Sequence, residues 1–203
     1  MIARGKFVRG NPARTASHLT GHLKYLEYRS REIDETREDR YIFTKDNDHV
    51  ERRDAQHDIM EHTSGSVHYH TIMISPADDE PIEDWRQWTR EVMRDLEEMQ
   101  DKDLHWYAVH HDNTEHPHVH VVLAGAGEDH LTGEMEPVKL YQGEYERLRE
   151  SGREHSEHGF YHQLEDDLQE LDRQDTVVHD HVELSQEREM FALFEKPGDY
   201  DDR

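Results

Sequence analysis

The residue types able to do chemistry concentrate in the stretch His111-Asp-Asn-Thr-Glu-His-Pro-His-Val-His120. In a β-strand alternate residues share a face, so His118 and His120 would present two imidazoles side by side. Val119, Val121 and Leu123 would then turn the other way, into a core. If the preceding strand runs antiparallel, His111 at its end supplies a third nitrogen beside them. Three imidazoles suit a divalent cation, and three ligands leave coordination positions for water or a phosphate oxygen, as in a catalytic rather than a closed structural site. Composition alone also favours some clustering, because the chain has 19 histidines and six of them lie between 105 and 120. With no cysteine in the chain, disulfides and thiolate sites are excluded, and any site must be built from His, Asp, Glu and Tyr.

The elements that would position these residues can be read from periodicity. Residues 104–110 and 118–124 read as neighbouring strands separated by a polar loop containing Asn113 and Pro117, and 66–75 as a third strand ended by Pro76. A short strand is expected at 6–9 and another at 41–43. Asn11 or Thr15 could cap a helix carrying Leu19, Leu23 and Leu26, with Tyr25 and Tyr28 near its end. Residues 49–62 form a weak helical pattern, and 81–100 an amphipathic helix with Pro81 near its first turn and Trp85, Trp88, Val92, Met93, Leu96 and Met99 as one stripe. Gly125, Gly127 and Gly133 mark a loop or hairpin, followed by a helical stretch over 141–172 broken near 156–159. The fold class expected is α/β: a central antiparallel sheet of about five strands with helices on one face and the metal site on the other. Residues 1–172 would form this domain and 173–203 an acidic C-terminal extension.

Charge is unevenly distributed. The formal net charge is −24, yet residues 1–31 carry seven basic residues (Arg4, Lys6, Arg9, Arg14, Lys24, Arg29, Arg31) against the single acidic Glu27. This arm is the expected contact for phosphates, since affinity for nucleic acid rests on Lys and Arg. Asp and Glu number 48, and only six of the 24 basic residues are Lys, a bias similar to that of proteins from salt-in halophiles. A solvated or partner-binding acidic surface in an ordinary cell is the alternative. No apolar run approaches the length of a membrane span, and the N-terminus has no apolar signal core, so a soluble, cytoplasmic protein is expected.

The segment His111 to Gly125 resembles the metal motif of plasmid-mobilisation relaxases, members of the HUH superfamily of endonucleases. The resemblance extends back through Val67-His-Tyr-His-Thr-Ile-Met-Ile-Ser-Pro76, the helix at 81–100, and Trp106-Tyr-Ala-Val-His110. At the N-terminus, Ala16-Ser-His-Leu-Thr-Gly-His-Leu-Lys-Tyr-Leu-Glu-Tyr-Arg29 is similar to the helix that bears the relaxase nucleophile, so roughly residues 1–150 are covered. The resemblance implies that His111, His118 and His120 bind Mg²⁺ or Mn²⁺, and that Tyr25 attacks a phosphate of single-stranded DNA or an origin hairpin, leaving a 5′-phosphotyrosine and a free 3′-hydroxyl. It further implies nicking and joining for plasmid mobilisation, conjugation or rolling-circle replication, with accessory proteins as partners and the chain acting as a monomer on DNA.

Several positions stay open. Many relaxases carry an acidic residue two places after the first histidine; here that place is Asn113, so Asp112, Asn113 and Glu115 compete as supports or substitute ligands. Pro117 separates His116 from the strand, which turns its ring away from the metal. His68 and His70 could lie under the site or be ordinary sheet histidines. Tyr28 and Tyr141, the latter paired with Tyr145, are alternative nucleophiles. The spacing of His116-Pro-His-Val-His-Val-Val122 also matches histidine triad nucleotide hydrolases, and a catalytically inactive, metal-bound DNA-binding protein is a further alternative.

Overall fold

A computed structural model describes residues 1–28, 41–77, 80–112 and 116–156. These all fall within the unit Met1–Phe160. The expected extension 173–203, and the helical stretch from 157 to 172, lie outside the described residues. The elements are β1 (Ile2–Val8), α1 (Pro12–Tyr28), α2 (Arg52–Glu61), β2 (Tyr69–Ser75), α3 (Trp85–Gln100), β3 (Lys102–Asp103), β4 (Trp106–His111), β5 (His118–Ala124), β6 (Ala126–Asp129), β7 (Met135–Pro137) and α4 (Gln142–Glu154).

The mixed α/β class with an antiparallel sheet holds. The main sheet has four strands in the order β1-β2-β5-β4, and β3-β6-β7 form a second sheet. Its register is antiparallel throughout, and β4 and β5 are neighbours as their spacing predicts. The expected strand at 41–43 contributes only two isolated bridges, Ile42 to Val50 and Phe43 to Ala108. The glycine-rich stretch is a hairpin, β6-β7, with Gly133 at a φ of +69° in its turn. Gly125 enters that hairpin where the chain packs against Val67: a Cβ there would lie 2.0 Å from the Val67 carbonyl oxygen. Because that neighbour is backbone and cannot swing away, Gly125→Ala is expected to cost several kcal/mol, toward the upper end of point substitutions. A lowered midpoint in urea denaturation checks it.

Helices cover both faces of the sheet, where one covered face was expected. On one face, Ile72, Ile74, Ala108, Val119, Val121 and Leu123 pack against Trp88, Val92, Met93 and Leu96 of α3 and Leu148 of α4. On the other, Tyr69, Val109, Val122 and Ala124 meet Leu19, Leu23 and Leu26 of α1 and Ala55 and Ile59 of α2. Each fully buried leucine of α1 contributes about 1.5–3 kcal/mol. The heptad-like leucines predict an amphipathic helix, but periodicity within one segment cannot say which side of a sheet the helix covers.

Local signals explain the helix starts. Asn11 Oδ1 accepts hydrogen bonds from the amides of Ala13 (3.1 Å) and Arg14 (3.3 Å), with Pro12 at the first helical position. In α3 the start is set by Asp84, whose Oδ1 accepts from Arg86 and Gln87 amides at 3.0 and 2.9 Å, so Pro81 precedes the helix rather than sitting in its first turn. Met99, expected in the apolar stripe, is exposed. No helix among the described residues is long and apolar enough to cross a membrane.

Candidate metal centre

The β4-β5 register sets His111 directly opposite His118 and Val109 opposite His120. Residues opposite one another in a ladder share a face, so all three rings stand on the side covered by α1 and α2. Their ring centroids lie 5.4 Å (His111–His118), 4.9 Å (His111–His120) and 4.8 Å (His118–His120) apart. One ligand nitrogen from each lies within 4.8 Å of the others. His118 Nε2 and His120 Nε2 are 3.1 Å apart, close to the spacing of about 3.4 Å that a tetrahedral ion with bonds near 2.1 Å imposes on its donors.

Backbone carbonyls orient two of these rings. His118 Nδ1 lies 2.9 Å from the carbonyl oxygen of His116, so Nδ1–H donates there and the ring's lone pair falls on Nε2, on the side of His120. His111 Nε2 lies 2.9 Å from the carbonyl oxygen of Leu26. Ser75 Oγ donates to the Pro117 carbonyl (2.9 Å), tying the approach of β5 to the end of β2. His116 therefore contributes through its carbonyl, a role that a search for side-chain ligands does not detect.

The Leu26 contact brings the last turn of α1 against His111. Leu26 is fully buried, and the adjacent Tyr25 is 48% exposed. Tyr28 ends the same helix. His18 and His22 precede Tyr25 at helical spacing: His18 Nδ1 contacts Tyr69 Oη at 2.5 Å, and the two imidazoles are stacked. Burial, reinforced by His18 and Lys6, pushes the His22 pKa down, while burial raises that of Tyr69 to about 12. The Lys6 influence reflects its place. The β1-β2-β5 register aligns Arg4 with Met73 and His120, and Lys6 with Thr71 and Val122, so both cations stand on the face of the triad. Arg4 is two strands from His120, about 10 Å. Arg14 and Lys24 are exposed on α1, and Arg9 lies over the exposed Phe7 ring. Arg29 and Arg31 lie outside the described residues.

Other sequence candidates fall elsewhere. Tyr141 starts α4 and Tyr145 packs into the core on the α3 side, the face opposite the triad. His70 also faces that side and its Nε2 contacts the Val138 carbonyl (3.1 Å), as an ordinary sheet histidine would; His68 is buried just before β2. Asp112 lines a groove with His110, Trp85 and Tyr41 rather than joining the three imidazoles. Asn113 and Glu115 lie outside the described residues.

His110 shows what the alternation costs. Its ring stacks on Trp85 with centroids 4.2 Å apart, its Nε2 is buried without a hydrogen-bond partner, and burial pushes its pKa down to about 4. The folded protein therefore resists a proton that the unfolded chain accepts below its ordinary value near 6.5. The contribution is fully present above pH 6.5 and is lost as the pH falls toward 4, by roughly 1–2 kcal/mol after allowing for partial exposure. His110→Phe is expected to reduce the fall in stability between pH 7 and pH 4.5, as read from urea denaturation of both proteins.

No curated protein matches the chain in sequence. A solved structure described as "Molecular Basis of Vancomycin Resistance Transfer in Staphylococcus aureus" is similar over 74% of this chain and 87% of that one, at 17% identity and a TM-score of 0.41, too distant to bear on function. The profile of the relaxase family, described as the MobA/VirD2-like nuclease domain, matches residues 25–158, a span that begins at Tyr25 and contains the whole imidazole triad. The chain thus belongs to the MobA/VirD2-like relaxase family and is a DNA endonuclease of that class.

Proposed function

We propose that this protein nicks and rejoins single-stranded DNA at a defined site, using Tyr25 as nucleophile and a divalent cation held by His111, His118 and His120. The observation that carries the reading is the hydrogen bond between His111 Nε2 and the Leu26 carbonyl, which joins the tyrosine-bearing turn to the triad. When bound, the cation draws charge from the phosphate oxygens and aligns them. Tyr25 Oη forms a bond to phosphorus as the P–O3′ bond breaks. The phenolic proton passes to solvent or a nearby base, and the departing oxygen takes up a proton to become the 3′-hydroxyl. Because the 5′-phosphate stays on the tyrosine, attack by a 3′-hydroxyl reverses the step and rejoins the strand.

Arg4 and Lys6 would supply positive charge on the site face, offsetting an otherwise acidic body. Nitrogen donors suit a transition dication better than the oxygen-seeking Mg²⁺, which favours Mn²⁺ of the two. Origin hairpins of plasmid transfer or rolling-circle replication are the proposed substrates. Family membership leaves the nucleotide-hydrolase alternative without support. The test is a panel of single-stranded origin hairpins incubated with Mn²⁺, Mg²⁺ or EDTA, in low and in molar salt. Metal-dependent cleavage at one position of one hairpin is expected. Binding without cleavage under every condition would leave an inactive DNA-binding protein instead.

A further inference from the structure

At the other end of β4 lies a second group of metal-binding side chains that the nicking chemistry does not use. Asp58 and His62 are one turn apart at the end of α2, and His105 immediately precedes β4; one donor atom from each lies within 4.8 Å of the others. His105 shares the triad's face of the strand but is six residues from His111, about 20 Å along β4. The two groups are therefore separate sites. We propose that Asp58, His62 and His105 bind a transition-metal dication, Zn²⁺ above all, which fastens the end of α2 to the sheet.

The contacts around the group are those of a built site. His105 Nδ1 lies 3.0 Å from Asp58 Oδ2, and the His62 and His105 rings stack in parallel with centroids 3.5 Å apart. His62 Nδ1 lies 2.8 Å from the Asp58 carbonyl oxygen, so Nδ1–H donates there and the ring's lone pair falls on Nε2. The Tyr107 hydroxyl donates to Asp58 Oδ2 (2.9 Å), holding the carboxylate in place. The His62 carbonyl accepts from the Ala126 amide (2.9 Å), which ties the end of α2 to the start of β6. All three side chains are half-buried, between 21% and 27% exposed, so an ion has access and water can complete its shell. Two imidazoles and a carboxylate with an open position form a zinc-type donor set. A bound ion would require the donors to draw in to about 3.4 Å.

The full-length chain, stripped of metal with chelator, would be titrated with Zn²⁺ by calorimetry and with Co²⁺ followed by its visible spectrum. Wild-type protein is expected to show a saturable site that survives in His118→Ala/His120→Ala and raises the melting temperature there. Asp58→Asn and His105→Gln should each lose that site, weakening it at least 100-fold, while retaining the triad's metal. Tyr107→Phe should keep the stoichiometry and weaken binding tenfold to a hundredfold, the usual effect of removing an outer partner. His57→Gln, at an exposed histidine of the same helix, should change nothing. Melting curves and circular dichroism of each variant confirm folding before binding is compared, and Asp58→Asn keeps the size and shape of the side chain. Equal stoichiometry and affinity in wild type, Asp58→Asn and His105→Gln would overturn the proposal, as would failure of the His118→Ala/His120→Ala protein to bind Zn²⁺. Neither result depends on whether Tyr25 cleaves DNA.

Discussion

Tyr25→Phe is expected to abolish the covalent protein–DNA adduct and to lower nicking on the order of 10³-fold or more. Removing a nucleophile removes the bond-forming atom itself, and a factor of 10³ corresponds to about 4 kcal/mol of transition-state stabilisation. The loss should be confined to chemistry. The ring of Tyr25 is 48% exposed, and α1 is held by Leu19, Leu23 and Leu26, so deleting one hydroxyl costs less than about 1 kcal/mol of stability. Mn²⁺ affinity of the variant should match wild type, since the triad is untouched. Tyr28→Phe and Tyr141→Phe should keep the adduct; Tyr141 is the N-cap of α4, which packs against the opposite face of the sheet. An adduct gel with a labelled hairpin oligonucleotide reads all three variants, and adduct formation by Tyr25→Phe excludes it as the nucleophile.

The second large effect concerns the cation. His118→Ala and His120→Ala should each lower Mn²⁺ affinity at the triad at least tenfold and reduce nicking about 10²–10⁴-fold, because a bound dication supplies several kcal/mol of charge stabilisation at the phosphate. His111→Ala should act twice. It removes a ligand and also the ring whose Nε2 meets the Leu26 carbonyl, so the turn carrying Tyr25 loses its tie to the sheet. Adding Mn²⁺ to saturation should therefore restore more activity to His118→Ala than to His111→Ala. Equal rescue of both would show that the Leu26 contact does not position the nucleophile.

Much of the site was legible before any fold was known, because it depends on alternation within two strands. The parity of His118 and His120 follows from a period of two, and the short loop makes β4 and β5 neighbours, which brings His111 opposite His118. What stayed illegible depends on tertiary choices. The leucines of α1 announce a buried stripe without naming the face it covers, so helices on both sides of the sheet were not expected. The carbonyls of Leu26 and His116 carry no side-chain signature, although they orient two of the three rings. Pro81 looked like a helix start by its type, but Asp84 took that role because its side chain reaches two unpaired amides. Asp112 was a candidate support by sequence proximity, yet it lines the groove with His110 and Trp85. One signal in the sequence went unread: His18, His22 and Tyr25 recur at helical spacing on α1, and in the fold His18 meets Tyr69 of β2 while Lys6 of β1 bears on His22.

The most direct measurement is to trap the adduct formed by wild-type protein on a cleavable hairpin with Mn²⁺, digest it with protease, and identify by mass spectrometry the tyrosine that carries the phosphate. A peptide linked through Tyr25 to a 5′-phosphate, absent when EDTA is present, is the predicted result. Phosphate on Tyr28, Tyr141 or Tyr145, or a cleaved strand with no covalent protein under any metal, would contradict it.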